Sequence, residues 1–241
     1  MDERIYSEMA ALEQRHWWFV ARRKIFDKLI STLPLPANAQ ILEAGCGTGG
    51  NLSMLARYGE VFGMETNAQA LILAAAKRKA LIAEGRLPDA IPFPGQMFDL
   101  IVLLDVLEHL DDDAAALRAL RARLKPGGWL IVSVPAFQFL WSRHDEVHHH
   151  KRRYVARNLR AAIKGADYRV QYLSYFNTWL FPLIAAARLA HVGSGHSSDL
   201  SMPNKFVNAL LRQIFSSERW LLGRITLPFG VSLLALARNS D

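Results

Sequence analysis

Ile41-Leu42-Glu43-Ala44-Gly45-Cys46-Gly47-Thr48-Gly49-Gly50 is an apolar strand running into a glycine-rich turn, with a helix expected directly after it. Glycines let the backbone come close to a ligand, and the helix N-terminus behind them offers unpaired N–H groups to an anionic or electron-rich group. The stretch therefore predicts a nucleotide-type ligand site within an α/β fold. Gly45, Gly47 and Gly50 satisfy G-x-G-x-x-G, and Glu65, 22 residues after Glu43, stands where an acid takes ribose hydroxyls. A dinucleotide-dependent oxidoreductase shares all of this, so the ligand class has to be decided by the rest of the chain.

Outward from the loop, strand and helix alternate. Strands are expected at Gln40 to Ala44, Glu60 to Glu65, around Leu81 to Glu84, Phe98 to Leu104 and Trp129 to Val134, with helices at about 51–58, 67–79 and 112–124. Asp111, Asp112 and Asp113 supply acceptors and negative charge at the start of the third helix, and Lys125-Pro126-Gly127-Gly128 is expected to stop it. A helix near 156–164, a strand at Tyr168 to Tyr175 and a last strand within Ile225 to Arg238 complete the pattern. Upstream, residues 3–31 read as helix, interrupted by His16-Trp17-Trp18-Phe19 and broken by Leu33-Pro34-Leu35-Pro36. The expected organisation is a helical cap over 1–36, a core over 37–175 and 225–241, and an apolar, basic helical insertion over 176–224.

Four motifs occur in order: Glu43-Ala44-Gly45-Cys46-Gly47-Thr48-Gly49; the acid Glu65 ending the second strand; Phe98-Asp99-Leu100-Ile101-Val102-Leu103-Leu104-Asp105-Val106-Leu107-Glu108-His109-Leu110; and Leu124-Lys125-Pro126-Gly127-Gly128 before the fifth strand. In these the chain from Ile41 to Pro135 resembles class I S-adenosylmethionine-dependent methyltransferases of the type 11 group. An oxidoreductase would account for the first two motifs and leave the last two unexplained. The resemblance implies a Rossmann-like doubly wound sheet and S-adenosyl-L-methionine as cofactor, with S-adenosyl-L-homocysteine as product.

It also implies residue roles. Gly45, Cys46 and Gly47 would face the methionyl part of the cofactor, Glu43 its ammonium, and Glu65, with Thr66 beside it, the ribose hydroxyls. Gly85-Arg86-Leu87 occupies the segment that lines the adenine, where the family often has Asp in place of Arg86. Arginine donates and cannot accept, so the adenine amino group would turn to a backbone carbonyl or to Asp89. Leu104, Asp105 and Val106 would lie across the cofactor, and His109 would either touch it or pack beneath it.

Glu13-Gln14-Arg15-His16-Trp17-Trp18-Phe19-Val20-Ala21-Arg22-Arg23 resembles the leader of a bacterial subgroup of these enzymes, which implies a segment folded over the cofactor. His16 and Trp17 would then cover the ligand and Arg22 would meet its carboxylate; a plain amphipathic cap is the alternative. The run from Trp141 to Tyr154 follows the fifth strand and so lies near the same sheet edge. Methyl transfer needs a positioned nucleophile and an acceptor for its proton, and His144, His148 or His149, oriented by Asp145, are the candidates. Arg152, Arg153 and Tyr154 are the candidates for holding an anionic substrate. One carboxylate among clustered histidines specifies no coordination geometry, so no metal is expected.

The chain has 241 residues, 51% of them hydrophobic, which excludes a disordered or fibrous protein. Its first residues carry no readable secretory signal, and the single Cys46 rules out a disulfide framework, both in keeping with a cytoplasmic protein. The longest uncharged apolar stretches, Trp179 to Ala187 and Ile225 to Ala237, fall short of the roughly 20 residues of a spanning helix. Residues 1–140 hold 15 Lys+Arg against 16 Asp+Glu, whereas residues 141–241 hold 14 against 6. That basic half points to an anionic partner, whether phosphate, nucleic acid or a membrane surface touched peripherally. No Asn/Asp-Pro-Pro-Tyr motif and no separate cysteine nucleophile are present, which favours an O or N atom of a small-molecule or lipid-linked acceptor over nucleic acid. RNA and protein acceptors remain the alternative. Residues 176–227 are expected to form either a basic-rimmed apolar lid or a buried helical subdomain or dimer contact.

Overall fold

The computed structural model describes residues 3–190 and 202–239. Its elements in chain order are α1 (Glu3–Leu12), α2 (Trp17–Ile30), β1 (Ala39–Ala44), α3 (Leu52–Leu55), β2 (Gly59–Glu65), α4 (Ala68–Ala76), β3 (Leu81–Glu84) and β4 (Phe98–Leu104), followed by α5 (Asp113–Arg121), β5 (Leu124–Pro135), α6 (Arg143–Val147), α7 (Ala156–Gly165), β6 (Tyr168–Phe176), α8 (Phe181–Ala190), α9 (Lys205–Ser217) and β7 (Ser232–Asn239). The sheet order is β3-β2-β1-β4-β5-β7-β6. The first five strands are parallel, and β7 runs antiparallel to both β5 and β6. The fold is α/β and Rossmann-like. The chain turns one way from β1 to β2 and the other way to β4, so a crevice opens at the carboxyl end of β1, where the glycine loop stands.

The strands alternate their buried side chains between two cores. Along β7, Leu233, Ala235 and Ala237 face one layer while Leu234 and Leu236 face the other. The first layer is closed by α5 and α7 through Leu117, Leu120, Leu159 and Ile163. The second is closed by α2, α3 and α9 through Ile25, Phe26, Leu52 and Phe215. Phe176 joins it, edge-on to Phe26 and stacked on Phe215.

Two expectations meet the structure here, one sharpened and one corrected. The helix over 3–31, expected to be interrupted at His16 to Phe19, is two separate helices, because His16 takes an extended backbone and its ring accepts from Trp18 N at 3.4 Å, capping the second. Lys125-Pro126-Gly127-Gly128 does not stop α5, which ends at Arg121. Between the pairs Phe98 with Leu124 and Leu100 with Trp129, β4 advances two residues and β5 five, so the segment is an outward loop within the strand. Gly127 takes it at φ 72°, a conformation that favours glycine.

Of the expected insertion, residues 191–201 lie outside the described residues. α9 buries Phe215 in the second core, where the edge of the Trp17 ring meets it, and leaves Phe206 78% exposed on its other side. Immediately after α9, the buried carboxylate of Glu218 accepts backbone N–H groups from Asn177, Thr178 and Trp179 at 2.7, 2.6 and 3.0 Å, tying the end of α9 to the turn between β6 and α8. Asn177 makes that turn with φ 58°. Glu218→Ala would leave three inward donors without an acceptor and is expected to cost about 3 to 5 kcal/mol in denaturant unfolding. Glu218→Gln, which keeps one good acceptor, is expected to cost less than half as much.

Candidate functional site

One cleft of about 1540 Å3 runs along the carboxyl edge of the sheet, from the glycine loop at one end to the histidine-rich segment at the other. Its size exceeds what one cofactor fills, since drug-sized ligands occupy roughly 300 to 1,000 Å3. Residues His16, Trp17, Arg22, Glu43, Gly45, Cys46, Gly47, Glu65, Thr66, Gly85, Arg86, Leu87, Leu104, Asp105, Val106 and His109 all line it, as do His144, His148 and His149.

At the loop end the backbone is fixed from below. Gly45 N and Cys46 N donate to Met64 O at 2.9 and 3.0 Å, pinning the loop to β2. Gly45 has φ 76°, and a Cβ there would sit 2.5 Å from Val106, whereas a Cβ on Gly47 would meet nothing within 4 Å. Gly47 therefore presents bare backbone to open cleft. Glu65 accepts Gly47 N at 2.9 Å on one oxygen and the backbone N–H groups of Thr66 and Asn67 at 2.8 and 3.1 Å on the other. Glu43 is buried; one oxygen accepts the Asn51 amide at 2.7 Å and the other has no hydrogen-bond partner among the described residues. Burial pushes its pKa up to about 7, opposed by Asn51 and by the cations of Arg22 and Lys77. Cys46 is buried and its thiol is pushed far up by burial, so it is no nucleophile.

Arg22, expected at the cofactor carboxylate, lines the cleft with its guanidinium held by the protein. It pairs with Asp105 at 2.9 Å, reaches Ser133 Oγ at 3.3 Å and lies 4.7 Å above the Trp18 ring. Asp105 ends β4 with φ 58°, a strained conformation that Asp tolerates better than most residues. Arg86 is exposed at the rim, and Asp89 does not line the cleft, which leaves only backbone carbonyls for an adenine amino group there. Glu13 was missed as a wall of the cleft: buried, it accepts Thr48 Oγ1 at 2.7 Å and pairs with Lys77.

At the other end several expectations are corrected. Asp145 is buried, and the histidine ring that its carboxylate holds is that of His150. Its carboxylate accepts Arg153 Nε and Nη2 at 2.8 and 2.9 Å and Ser142 N at 2.8 Å, and it meets His150 Nδ1 at 2.8 Å. These partners hold its pKa far below the usual range despite burial, so it is an anchor and not a proton acceptor. Arg153 lines the cleft while its guanidinium binds Asp145 and, at 3.0 Å, Ala136 O. Arg152 binds the backbone carbonyls of Leu110 and Asp111, and Tyr154 donates to Asp113 at 2.7 Å; neither lines the cleft. His149 is exposed at φ 56°.

Two residues were overlooked, Glu108 and His150. Glu108 is fully buried with neither carboxylate oxygen hydrogen-bonded to another of the described residues, and burial, then the nearby Asp105, raises its pKa well above normal. The His150 ring stands edge-on to His109 with centroids 4.7 Å apart, and His144 and His148 are 4.1 Å apart. Burial lowers His109 and His148 to about 4 and His144 well below normal, so these imidazoles are neutral at pH 7. The Val106-Leu107-Glu108-His109 run could have flagged Glu108, but only the single turn Leu107–His109 sends it inward. The unpartnered Glu43 oxygen and the acid Glu65, beside a glycine loop that leaves room for a ligand, fit the ammonium and the diol of an aminoacyl-ribosyl cofactor.

The comparisons agree. A family model described as a methyltransferase domain matches residues 15–183. The malonyl-[acyl-carrier protein] O-methyltransferase of Enterobacter lignolyticus is 28% identical over 206 residues, covering 80% of each chain. The ubiquinone biosynthesis O-methyltransferase of Cereibacter sphaeroides is 35% identical over 114 residues, 45% of this chain and 46% of that one, so the match spans less than half of that relative's length. A solved chain from the complex of the Haloferax volcanii Trm112 methyltransferase activator with a methyltransferase is 18% identical with a TM-score of 0.65, covering 98% of this chain and 94% of that one, a likeness of fold.

Two expectations follow for calorimetry with S-adenosylmethionine. Glu65→Ala is expected to weaken binding by about 10- to 100-fold, through lost charge-assisted hydrogen bonds worth roughly 1.5 to 3 kcal/mol each, less what water restores. Because Glu43 titrates near neutrality and a bound ammonium favours its ionised form, affinity is expected to rise from about pH 6 to about pH 8 with proton release, then level off. Glu43→Gln is expected to remove that pH dependence.

Proposed function

The chain belongs to the class I S-adenosylmethionine-dependent methyltransferases, and on that premise we propose that it methylates a hydroxyl oxygen of an amphipathic, small-molecule or lipid-linked acceptor. The observation that carries this reading is the continuity of the cleft. Beyond the cofactor end it runs past the imidazoles to α8, whose Ile184, Ala187 and Arg188 line its wall while Leu183 and Leu189 are exposed outside. An acceptor with an apolar body and a polar reacting end matches such a wall. The named activities of the two relatives, both O-methyltransferases, support the same class. Among the described residues no helix is long and apolar enough to cross a membrane. Peripheral contact through the exposed side chains of Phe206, Leu210 and Trp220, with the basic residues around them, is part of the proposal.

When bound, the cofactor supplies a methyl group on a sulfonium, open to in-line attack. The loop Gly45 to Gly47, Glu43 and Glu65 would hold it, with Gly85 to Leu87 beside the base. The protein's own work is then to orient the acceptor oxygen and take its proton. His148, buried on the cleft wall, neutral and packed against His144, is the proposed acceptor of that proton at a ring nitrogen. Arg22, held by Asp105 and Trp18, closes the floor between α2 and β4 and keeps water from the reacting side.

Incubating the protein with cell extract and isotopically labelled S-adenosylmethionine, then separating organic-soluble, aqueous, RNA and protein fractions, tests the acceptor class by mass spectrometry. Label is expected in an organic-soluble or small-molecule product as a methyl ether. Label confined to RNA or protein would overturn the acceptor class while leaving the methyltransferase family intact.

A further inference from the structure

We propose that Glu108, His109 and His150 form a binding site for one divalent first-row transition-metal ion, of the zinc or iron(II) class, on the acceptor side of the cleft. This departs from the absence of metal expected from sequence. One ligand atom from each residue lies within 4.8 Å of the others, and His150 Nε2 is 4.0 Å from Glu108 Oε1. Ligand atoms around a tetrahedral ion bound at about 2.1 Å lie about 3.4 Å apart, so side-chain rotations of roughly an ångström or less would close the set.

Glu108 gives the strongest reason to look for a cation. Its carboxyl group is completely buried, yet among the described residues neither oxygen is hydrogen-bonded to a neighbour. Buried acids are ordinarily paired, on a metal, or kept in the neutral form, because an unpartnered carboxylate costs several kcal/mol. The neighbouring guanidiniums are committed elsewhere: Arg22 to Asp105 and Arg153 to Asp145. A small ion brought in through the cleft would give this group a partner.

His150 gives the second reason. Its Nδ1 is held at 2.8 Å by Asp145, itself fixed by the two-pronged Arg153 and by Ser142 N. That fixes the proton on Nδ1 and turns the lone pair of Nε2 towards Glu108 and His109, which is how a carboxylate behind a metal-bound histidine sets its tautomer and aim. The backbone locks the two segments together, with Lys151 N donating to Glu108 O at 2.8 Å.

The donor set also selects the ion. Two imidazoles and one carboxylate suit zinc or iron(II) and disfavour magnesium or calcium, which take oxygen ligands. Three protein ligands leave a position open, and since all three residues line the cleft, that position faces an incoming ligand. On the reading that the acceptor is a hydroxyl compound, the ion would bind the acceptor oxygen and lower its pKa, leaving His148 to receive the proton.

The test uses the untagged full chain, stripped with a chelator and titrated with cobalt(II) in the absence of S-adenosylmethionine, so that its outcome is independent of methyl transfer. Expected is one cobalt(II) per chain, displaced by zinc, with visible absorption of a low-symmetry four- or five-coordinate site. Paramagnetic proton NMR of the wild-type complex is expected to show two shifted imidazole N–H signals, one for each ligating histidine, a readout that needs no variant to fold. Glu108→Ala and His150→Ala are expected to weaken cobalt binding about 100-fold or more, whereas His149→Ala, an exposed neighbour, retains it. No stoichiometric uptake by the wild type, a different histidine count, or undiminished binding in folded Glu108→Ala and His150→Ala proteins would overturn the proposal.

Discussion

The chain leaves β1 for β2 on one side and returns to β4 on the other, and the gap between those two departures is the constraint around which the rest is arranged. No helix can cover that edge, because each crossover carries its helix away from it. The glycine loop, the Asp105 turn and the segment after β5 all end there, so residues far apart in sequence share one cleft. α2 is recruited to close it. Its Arg22 bridges to Asp105 and Ser133, joining the leader to β4 and β5 in a single contact.

Apart from Glu65, whose oxygens accept backbone N–H groups of the loop and turn, the buried acids divide into two kinds. Asp145, Glu218 and Glu13 are matched by guanidinium, backbone N–H groups, or hydroxyl and ammonium, and each fastens one segment to another. Such pairs add little net stability over apolar packing, but removing one partner is costly, so they fix geometry. Glu43, at one oxygen, and Glu108, at both, are the other kind, buried and unmatched among the described residues. Both line the cleft, one near the glycine loop and one near the imidazoles. Unmatched polarity thus marks the two ends of the site, where a functional fold departs from the rule that buried polar groups are satisfied.

The sheet was legible because its parallel strands are buried on both faces and read as apolar runs with turn residues between them. β3 and β4 fall on the expected residues, and the loop at Gly45 to Gly49 announces its own purpose. What escaped was set by contacts between distant segments. Nothing in His148-His149-His150 says which ring Asp145 will choose; that depends on the left-handed turn at His149 and on Arg153 filling the other side of the carboxylate. Arg152 and Tyr154 looked like ligands for an anion, yet the carbonyls and acid of the segment 110–113 claimed them first. Glu108 read as part of a motif, and its isolation shows only once β4, β5 and the histidine segment close over it.

The position of β7 has a temporal meaning. It lies between β5 and β6, so β6, made more than 50 residues earlier, has no partner in the sheet until residues 232–239 arrive. Until then β5 is an open edge of aliphatic residues and the Phe176 end of β6 has nothing to register against. During synthesis the first five strands can assemble in order, but the wall that carries the acceptor end of the cleft waits on the last strand. A nascent chain halted inside the α8–α9 region would expose a sticky edge beside a formed glycine loop, a state suited to capture by a chaperone.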